Sequence, residues 1–372
     1  MGKVIRVLHV VGRLNIGGAE GRIMDLYRNI DRDKIQFDFM QHMADEAVYQ
    51  AEVEKMGGHV YHVPRFRVYN YFGYKKSWER FFTEHPEIDI VHGHMTSTAA
   101  IYLPIAKARL GAYTIAHARN AGVDRGIKGY MTKWLRRNLS KRCDQCFTCS
   151  RLAGEAVFGR RNADRVTTIP NAIDVERFAY NPQTRAAMRE QLGLGGGDFV
   201  IGHVGRFDTV KNHAYMLEIL SACLKKKPSV KLLLVGDGRL RGETEQKAER
   251  LGIAKSVIFA GNRKNVYDYY QAFDFFIMPS FYEGLPGTAI EAQASGLHGI
   301  LSDRITTEAV VTDLMCMKSI DAPPEEWADE ILAARTGERT SRTEELRAAG
   351  FDVKEQVKRL SDFYLRAVGE GT

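Results

Sequence analysis

The stretch FVIGHVGRF, residues 199–207, decides the fold, because a second series of apolar runs begins with it. A continuous apolar run that ends in glycine is typical of a strand buried on both faces. Helical sequence separates the runs that follow, which are KLLLVGDG (231–238), VIFAG (257–261), FFIMPS (275–280) and GILSD (299–303). Strands that alternate with helices predict a parallel sheet with helices on both faces.

An earlier series of the same kind precedes it: VIRVLHVV (4–11), FDFMQHM (37–43), DIVHGH (89–94), AYTIAHA (112–118), CFTCS (146–150) and RVTTIPN (165–171). A chain of 372 residues is too long for one ordinary core, so two series of strands indicate two α/β domains. We predict domains at 1–175 and 176–352. The final helical stretch, 353–372, could belong to either domain, and we expect it to pack back on the first.

Composition and charge restrict the function classes. Hydrophobic residues make up 44% of the chain and charged residues 27%, which is typical of a globular protein. No apolar run approaches the roughly 20 residues that span a bilayer, so we expect a cytoplasmic protein. The net charge of +7 indicates an anionic partner, which would be a nucleic acid, a membrane surface or a phosphorylated small molecule. The sequence contains no helix-turn-helix, RNP or zinc-finger pattern, which disfavours a nucleic acid.

Two patterns resemble metal-binding motifs but do not meet the requirements of a metal site. Cys143, Cys146 and Cys149 are three residues apart, but a zinc site needs four ligands and no second pair follows. A spacing of three along a strand alternates faces, so we predict unliganded thiols. Asp31 and Asp33 form a D-x-D that follows a helix, and two carboxylates alone rarely hold magnesium. We expect a polar turn there and no metal in the protein.

Two carboxylates flank a predicted helix start in FYEGLPGTAIEA, residues 281–292. Glu283 falls in the loop after the strand at 275–280. Glu291 falls in the first turn of a helix that we expect to begin at Thr288. Free N–H groups at a helix N-terminus favour an anion, and carboxylates beside them can accept hydrogen bonds from sugar hydroxyls. The alternative is that Glu291 only complements the helix dipole and that Glu283 is solvated.

Two more candidate sites follow strand-like runs, where ligands bind in doubly wound sheets. Arg206 and Lys211 are five residues apart in one loop, which suits two cations that converge on a diphosphate. An ordinary basic loop fits that pattern equally well. Gly17 and Gly18 precede a helix and allow close approach to a phosphate or sugar. The glycine spacing there is not the G-x-G-x-x-G of dinucleotide-binding proteins.

His117 and Arg119 stand at the end of the run AYTIAHA. A lone histidine is more often structural than catalytic. The strand-end position favours function, because loops at that edge of the sheet carry ligand-binding residues. Both residues are therefore candidates.

Several motifs occur in the order typical of one family: GGAE (17–20), NAID…RF (171–178), GRF…KN (205–212), LLLVGDG (232–238), VIFAG (257–261) and PSFYEGLPGTAIEAQASG (279–296). Together they resemble the family-4 glycosyltransferases, a large retaining family with the GT-B architecture. That resemblance implies two Rossmann-like domains whose parallel sheets face each other across a cleft. It spans the chain from Val4 to about Ala309, and residues 291–306 resemble the branch that builds capsular and extracellular polysaccharides.

The resemblance implies that a nucleotide-sugar donor binds to matching residues of this chain. Arg206 and Lys211 match the pair that neutralises the donor diphosphate. Glu283 matches the acid that contacts the donor sugar, and Glu291 matches the acid that holds the ribose. The remaining donor-binding matches are Gly17, Gly18, Asn171, Asn262, Arg263, Val266, Gly284, Leu285 and Pro286.

His117 matches the family's histidine near the sugar, but the alignment is ambiguous by two residues and its alternative puts Arg119 there. We expect Arg119 on the acceptor side. The implied catalytic residues are His117, Arg206, Lys211 and Glu283. Gly287 and His298 replace an apolar residue and a proline that are more usual, which should shift the preference for the donor sugar.

The resemblance implies a retaining hexosyltransferase that needs no cofactor or metal. Its donor would be a nucleotide sugar, with UDP favoured, and its acceptor a glycan or a lipid-linked saccharide. Two other hypotheses remain open from the sequence: a GT-B nucleotide-sugar epimerase, and a nucleic-acid-binding protein that only the basic pI supports.

A basic amphipathic segment, residues 127–142, suggests contact with an anionic membrane surface. Ile127, Tyr130, Met131, Trp134 and Leu135 form one stripe at helical spacing. Around it we predict membrane-facing positions at Lys128, Lys133, Trp134, Arg136 and Arg137. Residues 65–82 also mix bases with aromatic residues. We expect a peripheral protein at the inner face of the cell membrane, unless the stripe packs on its own domain.

Overall fold

The computed structural model describes residues 3–15, 17–43, 45–119, 126–334 and 339–369. The chain forms two compact α/β units, one of Met1–Ala172 with Val353–Thr372 and one of Ile173–Asp352. Each unit has its own parallel sheet, as the alternation of strands and helices predicts.

The first unit has a seven-stranded parallel sheet in the order β3-β2-β1-β4-β5-β6-β7. Its strands are β1 Ile5–Val10, β2 Ile35–Gln41, β3 Val60–His62, β4 Ile90–Gly93, β5 Tyr113–Ala118, β6 Gln145–Thr148 and β7 Val166–Thr168. Its helices are α1 Gly18–Asn29, α2 Gln50–Lys55, α3 Tyr71–Glu84, α4 Thr96–Leu110, α5 Gly126–Arg136 and α6 Arg151–Phe158. Strand β2 is buried along its whole length, because helices cover both faces of a parallel sheet.

The second unit has a six-stranded parallel sheet in the order β10-β9-β8-β11-β12-β13. Its strands are β8 Phe199–Val204, β9 Val230–Val235, β10 Val257–Gly261, β11 Phe275–Met278, β12 Gly299–Ser302 and β13 Met315–Lys318. Its helices are α7 Val175–Phe178, α8 Pro182–Gln191, α9 His213–Lys226, α10 Arg241–Arg250, α11 Val266–Ala272, α12 Gly287–Ala294, α13 Pro324–Ala333 and α14 Thr343–Ala348. A separate apolar core lies around β8, β9 and α9.

The last helix, α15 (Val353–Gly369), packs in the first unit. Val353, Val357, Leu360 and Tyr364 recur at intervals of three or four residues, so they lie on one face of the helix. All four belong to the core cluster around β1 and β2. The buried stripe of α15 therefore explains why the chain returns to the first sheet.

Both sheets reverse their strand order beside their first strand, between β1 and β4 and between β8 and β11. Connections leave the sheet in opposite directions at such a point, which opens a crevice at the carboxyl ends of the two strands. Ligands of doubly wound sheets bind in that crevice. The topology therefore provides one candidate position in each unit.

Local boundaries differ from the sequence expectations in two places. Helix α12 begins at Gly287, one residue before the predicted start. Strand β6 covers only Gln145–Thr148, so Cys143 precedes it and the predicted alternation of the three cysteines is wrong. The sulfur atoms of Cys143 and Cys146 lie 3.5 Å apart.

The D-x-D lies in the turn between α1 and β2, as predicted. Oδ1 of Asp31 accepts a hydrogen bond from the backbone N–H of Asp33, and the carboxylate pairs with Lys34. In the described part of the chain, no helix is both long and apolar enough to span a membrane.

Candidate functional site

The loops after β8, β9, β10 and β11 form a continuous rim at the carboxyl edge of the second sheet. Three backbone hydrogen bonds join them, from N–H to carbonyl: Gly236 to Gly261 (2.9 Å), Phe207 to Asp237 (3.0 Å) and Phe281 to Val210 (2.9 Å). Gly236 has φ +139°, and a Cβ there would lie 2.1 Å from the Gly205 carbonyl oxygen. The close approach of two loops therefore requires glycine in the motif LLLVGDG.

Lys211 and Glu283 meet where the loops after β8 and β11 adjoin. Nζ of Lys211 lies 2.6 Å from Oε1 of Glu283, and their side chains are 16% and 18% exposed. Asp208 positions the lysine, because its Oδ1 accepts hydrogen bonds from the backbone N–H groups of Val210 and Lys211. The structure thus brings together a predicted cation and a predicted acid as an ion pair.

Arg206 lies in the same loop as Lys211 but differs in its environment. It is exposed, and its guanidinium has no hydrogen bond or ion pair to any described residue. Lys211 is already neutralised by Glu283, whereas the charge of Arg206 is available to an anion.

Glu291 is the fifth residue of α12, so its predicted place in the first turn is wrong. Its side chain is 3% exposed, and Oε2 accepts a hydrogen bond of 2.7 Å from the hydroxyl of the fully buried Tyr270. A simple dipole-complementing role does not explain this geometry, because dipole effects act within the first turn. Sequence reasoning missed Tyr270.

Two buried hydroxyl oxygens, one in the loop after β11 and one at the start of α12, make no hydrogen bond to any described residue. They are Oγ of Ser280 and Oγ1 of Thr288. The N-cap residue, Pro286, provides no side-chain hydrogen bond to the first turn, and it is buried together with Gly284 and Leu285. Buried hydroxyls are normally satisfied, so unpartnered ones at a helix start are consistent with a ligand site.

Asn262 and Arg263 are exposed in the loop after the edge strand β10. Nε of Arg263 donates to the Ala260 carbonyl over 2.8 Å, and Val266 is the first residue of α11. The backbone rim connects this loop to the loop of Lys211. The structure records no direct side-chain contact between the two loops among the described residues.

At the first sheet, Gly17 is the N-cap of α1 and Gly18 is its first residue. A Cβ placed at Gly18 would meet nothing within 4 Å, so packing within the described chain does not require glycine there. Among the described residues, the space beside Gly18 is therefore open, and its role in ligand binding stays a prediction.

His117, the predicted catalytic histidine, lies inside β5 and is 1% exposed. Its Nδ1 is 3.0 Å from Nε2 of His92, and Nδ1 of His92 is 2.7 Å from the Tyr364 hydroxyl. Burial, and to a smaller extent the charge of Arg119, lowers the pKa of His117 well below 6.5. His117 is therefore neutral at pH 7.

Arg119, the alternative to His117, lies just beyond β5 in the same cluster. Its Nε donates to Nδ1 of His94 over 3.3 Å, and its Nη1 donates to Oδ1 of Asn171 over 2.8 Å. Nε2 of His94 lies 3.0 Å from Nδ1 of His9. Asn171 is thus beside Arg119 in the first unit, and His94 and His9 join the two sequence alternatives in one cluster.

His9, His92 and His94 are not among the site residues predicted from the sequence. A sequence signal for them exists, because VIRVLHVV and DIVHGH carry histidine near a strand end just as AYTIAHA does. In a parallel sheet such residues come together, and His9 pairs with His92 in the register of β1 and β4.

The basic segment forms helix α5, and its predicted stripe divides between two faces. Tyr130 and Trp134 are 78% and 67% exposed, whereas Leu135 is buried. Packing of the entire stripe on its own domain is therefore contradicted. Lys133 and Arg137 are also exposed and Arg136 is partly buried, while the side chains of Ile127 and Lys128 lie outside the described residues.

The chain has two Rossmann-like units, each with a parallel sheet, and a cation and acids lie at the strand-order reversal of the second. These features are typical of the GT-B glycosyltransferases. The family model described as Glycosyltransferase Family 4 matches residues 16–177. The model described as Glycosyl transferases group 1 matches residues 198–336. The chain is 33% identical to the putative glycosyltransferase EpsF of Bacillus subtilis (strain 168), over 96% of each chain.

The chain belongs to the family-4 glycosyltransferases. It is also 23% identical to the capsular polysaccharide biosynthesis glycosyltransferase CapH of Staphylococcus aureus, over 88% of this chain and 90% of that one. The crystal structure of Alr3699/HepE from Anabaena in complex with UDP and glucose has the same fold, with a TM-score of 0.79 and 18% identity over 96% of this chain and 99% of that one. The predicted GT-B fold is confirmed, and the protein is a glycosyltransferase of polysaccharide biosynthesis.

Proposed function

We propose that the protein is a retaining hexosyltransferase. It moves a sugar from a UDP-sugar to a hydroxyl of a glycan or a lipid-linked saccharide. The observation that carries the proposal is the ion pair of Lys211 and Glu283 at the strand-order reversal of the second sheet, with Arg206 in the same loop. Two cations and an acid at that point suit a diphosphate attached to a sugar.

The diphosphate binds to the cationic loop after β8. Arg206 contributes an unpaired guanidinium, and Lys211 contributes an ammonium group that Glu283 holds in position. The N-terminus of α12 adds N–H groups that favour an anion. These groups stabilise the charge that develops on the leaving diphosphate, and the scheme uses no metal ion.

The two acids bind hydroxyl groups on either side of the diphosphate. Glu283 lies beside Lys211, so its carboxylate is next to the position of the leaving group and accepts from the donor sugar. Glu291 is buried and held by Tyr270, so its carboxylate is preorganised to accept from the ribose. The hydroxyls of Ser280, in the loop after β11, and of Thr288, in the first turn of α12, have no hydrogen-bond partner among the described residues and are available to the donor.

A uridine base fits the exposed loop at Asn262 and Arg263. The solved relative HepE was crystallised with UDP, which supports uracil over guanine. Gly284, Leu285 and Pro286 would line the donor beside Glu283. Gly287 and His298 are the positions at which the choice of sugar should differ within the family.

The anomeric configuration is retained because the acceptor hydroxyl attacks the anomeric carbon from the same face that the diphosphate leaves. The bond from the anomeric carbon to the diphosphate oxygen breaks, and the acceptor oxygen bonds to the same face of that carbon. The acceptor proton passes to the leaving phosphate oxygen, so no protein nucleophile is needed. Because His117 is neutral, its proposed role is that of a hydrogen-bonding group and not of a charge.

A lipid-linked acceptor fits the exposed aromatic and basic side chains of α5. Tyr130 and Trp134 are largely exposed, and Lys133 and Arg137 flank them. Aromatic rings with neighbouring bases favour the interface of an anionic bilayer. That surface would bring the enzyme to its acceptor.

A panel of nucleotide sugars tests the donor. A ligand that binds only the native state raises the melting temperature, so UDP-sugars should raise it and GDP-sugars should not. Glu291→Ala should remove most of the shift. Glu325→Ala, a control at an exposed pair of the same unit, should retain it.

The product tests the mechanism. With an α-linked UDP-sugar, proton NMR of the product should show an α-linkage. A β-linked product would exclude retention. Epimerisation of the donor without an acceptor would support the epimerase hypothesis instead.

A further inference from the structure

Arg119 is a partly buried arginine whose guanidinium donates to no carboxylate among the described residues. Its Nε and Nη1 donate to His94 and Asn171, which are both uncharged acceptors, and its Nη2 has no partner among the described residues. Two other partly buried arginines of this unit are paired with acids. Arg6 makes two hydrogen bonds to Asp38, and Arg28 makes two to Glu52. A partly buried charge that makes no ion pair is costly, so a role in ligand binding accounts for Arg119 better than a structural one.

The imidazoles around Arg119 do not neutralise it. Burial is the main cause that lowers the pKa of His9 to about 3 and that of His94 well below 6.5. Nδ1 of His94 accepts from Arg119, so the proton of the neutral ring is on Nε2 and is donated to Nδ1 of His9. Nε2 of His9 then carries a proton, and it is buried without a partner. The cluster is therefore rich in donors and poor in acceptors.

The position of the cluster is that of a ligand site. His9, His94 and Arg119 lie at or just beyond the ends of β1, β4 and β5, where the strand order of the first sheet reverses. Glu20, in the first turn of α1, acts on Arg119 electrostatically, so the start of α1 is near the guanidinium. The space above Gly18 in that turn is open.

A metal ion is the competing occupant. The ligand atoms of His9, His92 and His94 lie within 4.8 Å of one another, which is close enough for one ion. The charge of Arg119 opposes a cation there, and the Arg119 guanidinium already occupies Nδ1 of His94. None of the cluster's hydrogen-bonding partners is a carboxylate. These features favour an anion.

We propose that Arg119 and the donor-rich histidines form a subsite for an anionic group of the acceptor, which is a phosphate or a carboxylate. That the anion belongs to the acceptor rests on the proposed function, because the donor diphosphate is assigned to the second unit. A lipid-linked saccharide supplies a diphosphate, and an acidic glycan supplies a carboxylate.

Thermal shift and calorimetry on the full chain saturated with UDP test the subsite, because UDP occupies the donor site. Inorganic pyrophosphate is the probe for the diphosphate of a lipid-linked saccharide, and glucuronate is the probe for the carboxylate of an acidic glycan. One of them should raise the melting temperature further in the wild type. Arg119→Gln should abolish that second shift and lower the affinity for the probe at least tenfold, yet keep the shift that UDP causes. Arg109→Gln, a change at an exposed arginine of the same unit, should behave as the wild type.

A purely structural Arg119 gives a different result. Its removal would lower the melting temperature of the ligand-free protein, whereas an unpaired functional charge should leave that temperature unchanged or raise it. If Arg119→Gln does not fold, Arg119→Lys keeps the charge but loses the planar fork, and it should bind the probe at least tenfold more weakly.

Several outcomes overturn the proposal. They are no second shift with either probe in the wild type, a second shift that survives Arg119→Gln, and an equal loss of the UDP shift in that variant. Stabilisation by Zn²⁺ that His9→Gln abolishes would identify a metal site instead. Failure of UDP itself to bind contradicts the proposed function, so the two hypotheses fail in different ways.

Discussion

The strand-order reversals of the two sheets occupy equivalent places but carry different chemistry. At the second sheet, Lys211 pairs with Glu283, and Glu291 is buried in α12, the helix that follows the loop of Glu283. At the first sheet, Arg119 lies beside neutral histidines and makes no ion pair with any described residue. The fold provides the place in both units, and the side chains decide what binds there.

A fall in pH should destabilise the first unit more than the second, and this is the largest expected difference between them. Burial lowers the pKa of five histidines in the first unit and two in the second: His9, His42, His92, His94 and His117, against His203 and His213. Their folded pKa values lie below the unfolded value of 6.5, so below pH 6.5 the unfolded chain binds more protons and stability is lost. Each histidine contributes up to about 1.4 kcal/mol per pH unit.

Hydrogen exchange, followed for peptides of each unit from pH 7.5 to 5.5, measures this difference. The first unit should open at the higher pH, and for His9 the loss should continue to a pH of about 3. His9→Gln should reduce the pH dependence of the first unit only. Opening of the second unit at a higher pH than the first would contradict this prediction.

Lys211→Ala tests the second region. Loss of one preorganised charge at the leaving group should lower turnover by about 10²–10³-fold. Single-turnover sugar transfer measures it. The matched control is Lys225→Ala, which removes an exposed lysine 3.7 Å from Glu325 and should leave turnover unchanged. A loss of less than threefold in Lys211→Ala would contradict the role.

Tyr270→Phe tests the support of Glu291. Removal of one buried hydrogen bond, worth about 1 kcal/mol, should weaken UDP binding about fivefold. Calorimetry measures the affinity. Tyr215 donates to the Ala322 carbonyl at another place in the unit, so Tyr215→Phe should lower the melting temperature but leave UDP affinity intact. Equal affinities in the two variants would refute the role of Tyr270.

Trp134→Ala tests the exposed aromatic face of the first unit and should have the smallest effect. The substitution removes one indole ring, whose contact with the membrane interface is worth on the order of 1 kcal/mol. Binding to phosphatidylglycerol vesicles should therefore fall a few-fold. Sedimentation with vesicles measures it. Leu251→Ala, at an exposed apolar position of the second unit, should have no effect. Equal binding to phosphatidylcholine vesicles would argue against an electrostatic surface.

The sequence predicts the sheets better than the sites. Apolar runs that end in glycine identify the central strands, because strands buried on both faces have no polar alternation. The start of α12 and the length of β6 depend on local hydrogen bonds that the residue pattern does not reveal. The residue pattern therefore misplaces those two boundaries.

For the sites, position along the chain is a partial guide. Lys211 and Glu283 are predictable, because both follow strands of one sheet edge and so converge. Tyr270 is not, because it lies on α11 and reaches Glu291 only through tertiary packing. His9 and His92 escape notice because their apolar neighbours are typical of ordinary strand residues.

The return of α15 to the first sheet affects the order in which the molecule assembles. Val353, Val357, Leu360 and Tyr364 complete the core of the first unit, yet a ribosome makes them after the whole second unit. Contacts of such high sequence separation form late. The half of the enzyme that is synthesised first is therefore completed last, and until then its apolar sheet face is exposed to chaperones and to aggregation.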